Sequence, residues 1–199
     1  VNVTNLDRYL KTSPYLTPHS DIVALMVLEH QSEMHNRIAR ANFLTRIALR
    51  DEAEFNKALG RPADYRSEST LSRIRNAGEP VVKYMLFSEE AQLTEPVKGT
   101  SGFAEEFAKR GPRDRRNRSL RELELKRRLF AYPCSYLIYS EAFDALPAPV
   151  KDYVLRRLWD VLSGKDTSKE FGHLSVEDRR DIVEILRETK TNLPDYWKE

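Results

Sequence analysis

The sequence has a single cysteine, Cys134, in 199 residues. It therefore forms no internal disulfide, no CxxC metal knuckle and no CxxCH haem attachment. Long apolar runs are missing as well. The longest, Ile22 to Leu28, has seven residues, against the ~20 that a membrane-spanning helix needs. Charge of one sign is also lacking. Lys plus Arg number 33 and Asp plus Glu 31, so net charge selects no partner and electrostatic recognition must be local. There is no G-x-G-x-x-G, Walker loop, HExxH, G-x-S-x-G or EF-hand loop, which removes the commonest enzyme classes and favours a non-enzymatic role. Repeats and low-complexity tracts are absent too. Asn-x-Ser/Thr sequons at Asn2 and Asn117 carry little weight, because such triplets are common by chance.

What is present describes a folded, wet-surfaced protein: 40% hydrophobic and 32% charged residues. The length suits one helical domain over 1–199, with a candidate division into 1–95 and 100–199. Apolar residues at Ile22, Leu25, Met26, Met34, Ile38, Ala41, Leu44 and Ala48 step mostly by three or four. This predicts a helix with Ser20 as N-cap and Asp21 in its first turn. It must stop by Gly60-Arg61-Pro62, and a break near Arg50-Asp51 is an equal alternative. A second helical stretch is predicted over 67–91, interrupted near Gly78-Glu79-Pro80. Shorter helices are expected at 5–10 and 103–109. Ser119 with Glu122 reads as a capping box opening a helix that Pro133 breaks, followed by a further helix over 134–146. Pro149 marks a first turn for the helix ending at Gly164, and Ser175 caps the last helix. Strand-period alternation is scarce, so the fold class is all-α, an irregular multi-helix bundle.

The segment EHQSEMH (29–35) is the first candidate site. At ~100° per residue His30 and Glu33 share a helix face, the way bundles offer ligands to iron, manganese or zinc. His30 and Glu33 are the candidate metal pair, with Glu29, Met34 and His35 as auxiliary candidates. His35 lies about 140° from His30 around the helix and does not join it by default. No second copy of a Glu-x-x-His element occurs, so the segment is at most half of a metal site. The bland alternative is a buried polar edge with Glu33 paired to Arg37.

Residues 109–128, KRGPRDRRNRSLRELELKRR, hold ten basic and three acidic side chains. Arg113, Arg115, Arg116 and Arg118 are the candidate partner-binding residues. No aromatic is interleaved to stack on bases, which argues against nucleic acid. Around Cys134, Tyr132, Tyr136, Tyr139 and Phe143 step by four, three and four and predict one aromatic stripe of the core. A nucleophilic Cys134 would need a nearby base, and the sequence places none.

Four phrases, TPHSDIVALMVLEHQ (17–31), SGFAEEFAKRGPRD (101–114), YPCSYLIYSEAFDALP (132–147) and LPDYW (193–197), together resemble an uncharacterised family of exported bacterial proteins associated with c-type cytochromes. The resemblance spans most of the chain. It implies a periplasmic setting, for which a start at Val1 suits either a removed leader or a trimmed chain. It also implies a redox neighbour, with a c-type cytochrome as the candidate partner. It supplies no catalytic residues. The absence of CxxCH departs from a cytochrome c, so any redox group must be a metal ion or non-covalent haem, or belong to the partner. The leading expectation is an exported accessory or interaction module near electron-transfer proteins. The alternative is a metal- or haem-binding redox protein using Glu29 to His35.

Overall fold

The computed structural model describes residues 3–198, and the sequon at Asn2 lies outside them. Six α-helices follow in order: α1 Ile22–Ala58, α2 Glu68–Met85, α3 Phe103–Lys109, α4 Glu141–Asp144, α5 Ala148–Leu162 and α6 Val176–Thr189. Among the described residues there is no strand, only isolated antiparallel bridges at Asn5–His19 and Leu123–Phe130. The fold is all-α.

Helix α1 is continuous for 37 residues, about 55 Å at the usual rise, with no break at Arg50-Asp51. Its N-cap is Asp21 and not Ser20. The Asp21 carboxylate accepts from Val23 N and Ala24 N through Oδ1, and from Thr100 N, Ser101 N and Ser101 Oγ through Oδ2. One carboxylate thus caps the helix and moors the loop that enters α3. A Cβ on Gly99 would meet Asp21 Oδ2 at 2.8 Å, so that loop needs glycine for its close approach.

Helix α2 runs straight through Gly78-Glu79-Pro80, where the sequence predicts an interruption. Tertiary packing overrides the local signal. A Cβ on Gly78 would stand 2.6 Å from Tyr153 Cδ1, so α5 lies directly on that turn. Glu79 is then clamped by Tyr153 Oη at 2.7 Å and by Arg157 Nε and Nη2 at 3.1 Å. These contacts from α5 hold the helix across the missing Pro80 N–H.

The largest departure is 119–133, which is not a helix. Ser119 and Glu122 make half of a capping box: Ser119 N donates to Glu122 Oε1 at 3.1 Å, but Glu122 N donates to the Ser119 carbonyl and not to its hydroxyl. The chain then turns away. Glu124 Oε2 accepts from the backbone N–H groups of Lys126, Arg127 and Arg128, and Leu125 takes φ 60°. A side chain that satisfies three successive N–H groups competes with the helix for them. The stretch 134–146 is likewise split, into a 3-10 turn at Tyr136–Tyr139 and the single-turn α4. The segment 5–10 forms turns rather than a helix.

Helix α6 carries a full capping box, Ser175 with Asp178. One buried apolar cluster draws Met34, Ile38, Val82 and Met85 from α1 and α2 together with Phe130, Val154, Leu158, Ile182 and Trp197. On α1 its buried members end at Ala41, and on α2 they begin at Ile74. Beyond those points α1 and α2 continue as a hairpin whose interior is Thr45, Ala48, Glu52, Asn56 and Thr70.

Candidate functional site

His30 is 5% exposed and sits in an aromatic cage. Its ring stacks on Tyr84 and Phe87 at centroid separations of 5.3 and 4.8 Å and meets Phe130 edge-on at 5.3 Å. Nε2 shares a hydrogen bond of 2.8 Å with Ser135 Oγ. Burial lowers the imidazole pKa to about 4, so the ring is neutral at ordinary pH. Glu33 instead pairs with Arg37 Nε at 2.7 Å on the half-exposed face. Met34 is fully buried and His35 is exposed. Among the described residues no group of three or more His, Cys, Asp or Glu could hold a metal ion. His30 and Glu33 are each engaged by a different partner, and no third ligand joins them. The segment is a core edge with one caged histidine, and the residues present do not fit a closed metal centre.

Two open grooves of about 450 and 480 Å³ adjoin this cage and share Phe87, Ser88 and Glu90. The smaller is lined by Glu29 and His30, the larger by His173 and Asp178. Phe87, at φ 58°, makes the turn between them in a conformation that non-glycine residues rarely adopt. His173 Nε2 donates to Leu86 O at 2.7 Å and pins that turn to the loop before α6. Burial raises the Glu90 carboxyl above its ordinary value, opposed by the Leu129 N–H and Arg128. Glu29 and His30 are singled out by the sequence, but Phe87, Ser88, Glu90 and His173 are not, because they meet only when α2 ends against the loop before α6.

The Ser135–His30 hydrogen bond joins a fully buried hydroxyl to an imidazole whose 5% exposed edge lines the smaller groove. Cys134 is fully buried and its thiol is pushed up to about 12, the opposite of an activated thiolate. Tyr136 and Phe143 are buried beside it, with Tyr132 and Tyr139 packed at the margin.

The basic segment divides into inward and outward cations, and this corrects the reading of Arg113 and Arg118 as docking residues. Arg118 is 8% exposed. It donates from Nε to Asp114 at 2.7 Å and from Nη2 to Glu184 at 2.7 Å, and pairs with Asp181 at 3.1 Å. Burial opposes the charge, but the hydrogen bonds Arg118 donates to Glu184 and Asp114 outweigh it and raise its pKa. Arg113 donates to Asn117 O, Ala108 O and Glu122. Arg121 lies over Phe107 and Tyr136, at 4.0 and 4.4 Å from the ring centroids. Arg128 donates to Ala131 O and to Asp178 on α6, each at 2.7 Å. Arg113, Arg118 and Arg128 fold inward onto acidic partners from α6 and from within the segment itself, and Arg121 onto two aromatic rings.

Arg115 and Arg116 remain outside. Arg115 is moored only through its backbone N–H, to Glu188 at 2.7 Å. The Arg116 side chain is 63% exposed although it touches Glu184. Lys126 is exposed, and the Arg127 side chain is 82% exposed. No helix among the described residues is long and apolar enough to cross a membrane. No protein-family model, curated protein or solved structure matches the chain.

Proposed function

We propose that the chain is a non-catalytic helical interaction module whose docking surface is the outward half of segment 109–128. One observation carries this reading. Arg113, Arg118, Arg121 and Arg128 fasten a non-helical segment to α6 and the core, leaving Arg115, Arg116, Lys126 and Arg127 displayed on a fixed backbone. Cations held on an ordered backbone lose less freedom on docking than cations on a mobile loop. They would complement an acidic patch and speed encounter with it.

The partner is another protein with such a patch. A c-type cytochrome as that partner, and an exported location, rest on the sequence resemblance alone. The test is capture from a native extract with the wild-type chain and with the Arg115→Glu, Arg116→Glu, Arg127→Glu triple variant. The variant should lose the captured protein while its helical circular dichroism and melting temperature stay unchanged. Equal capture by both chains would contradict the docking surface. Arg118 is left out of the variant because its loss unseats the segment itself.

A further inference from the structure

The outer face of α1, away from the core, carries a second and separate surface. Phe43 is 69% exposed, and Leu44 and Ile47 are each 41% exposed. Arg40 lies seven residues before Ile47 and Glu54 seven after it. Seven residues bring a helix within about 20° of the same direction, so Arg40, Ile47 and Glu54 form one line along the helix. Arg40 and Glu54 are both exposed, and neither takes part in an ion pair among the described residues. Arg50, one turn beyond Ile47, has a 74% exposed side chain.

We propose that this face pairs with the same face of a second copy of the chain, the two α1 helices crossing antiparallel about a two-fold axis at Ile47. In that register the sequence is charge-complementary to itself: Arg40 of each copy stands opposite Glu54 of the other, giving two identical pairs around an Ile47–Ile47 contact. An isologous interface requires this self-complementarity. The same operation lays the Arg50 stem and guanidinium over Leu44 and Phe43 of the other copy, an aliphatic and cation–π cover for exposed apolar surface. Phe55, 66% exposed, extends the apolar surface toward the hairpin tip. Three exposed apolar side chains and two ion pairs make a small contact beside the ~800 Å² per copy of a standard interface, so the dimer is a reversible one.

Sedimentation equilibrium of the full chain over a range of concentration tests the pairing. The wild type should show a reversible monomer–dimer equilibrium that weakens with added salt. Arg40→Glu alone and Glu54→Arg alone should each weaken association about tenfold or more, because each puts two like-charge pairs into the contact. The combined Arg40→Glu, Glu54→Arg chain restores both pairs in reverse and should return to within about threefold of wild type. Ile47→Glu should leave only monomer, with circular dichroism confirming that the helix is intact. A wild type that stays monomeric at the highest soluble concentration overturns the proposal, as does a double swap that fails to recover. These outcomes are independent of the capture experiment on segment 109–128.

Discussion

The two ends of α1 meet very different surroundings. From Val27 to Ala41 its buried face enters the apolar cluster and touches elements from α2 to the 3-10 turn before α4. From Thr45 to Asn56 its most buried residues, Thr45, Ala48, Glu52 and Asn56, include three polar side chains, with Thr70 of α2 buried beside them. Thr45 Oγ1, Glu52 Oε2 and Asn56 Oδ1 find no protein partner there, although Glu52 Oε1 accepts from Ser67 N at 2.8 Å and Asn56 Nδ2 donates to Tyr65 O at 3.0 Å. One helix thus serves as a core element at one end and as half of a polar hairpin at the other. The lesson is that helix continuity does not imply uniform stability. Local opening should begin where buried apolar contacts are fewest.

Substitutions at the globular end should act globally and strongly. The largest effect is expected from Arg118→Ala, which leaves the buried Asp114 carboxylate without its guanidinium and should cost about 3–5 kcal/mol, read as a shift of the urea midpoint. The next is the pH response of His30. Its folded pKa of about 4 lies below the ~6.5 of an unfolded histidine. The neutral ring therefore contributes fully above pH ~6.5, and that contribution is lost as pH falls from there toward 4. The loss amounts to about 3 kcal/mol at most. A series of urea melts across this window should show the loss, and His30→Phe should flatten it.

Gly78→Ala comes third. Its new Cβ must displace Tyr153, for about 1–3 kcal/mol in thermal or chemical melts. The smallest effect should have the opposite sign. Thr45→Val in the hairpin removes an unpaired hydroxyl at nearly constant shape and should stabilise by up to about 1 kcal/mol. A stability loss at Thr45→Val of the size seen at Gly78→Ala would erase the contrast between the two ends.

The parts legible in the sequence are those governed by local rules. Ser175 caps its helix as read, and the short helix expected at 103–109 forms there, because caps and stops act within a few residues. The continuity of α2 was hidden because Glu79 finds Tyr153 and Arg157 more than seventy positions away. The non-helical 119–133 was hidden because half of its capping pattern does form, while Glu124 captures three N–H groups that a helix would need. Counting charge over 109–128 found the basic segment but could not sort it. Asp181 and Glu184, which absorb Arg118, stand more than sixty positions downstream. Likewise the helical wheel placed His30 and Glu33 together but could not show that Ser135 and the aromatic cage claim the imidazole.

The central claim is that segment 109–128 is an ordered platform although it has almost no regular structure. Hydrogen exchange followed by mass spectrometry measures this directly. Amides of residues 114–130 should exchange nearly as slowly as those of α5 and α6, while the hairpin tip around 56–68 exchanges first. Rapid exchange across 114–130, as in a free loop, would contradict the account.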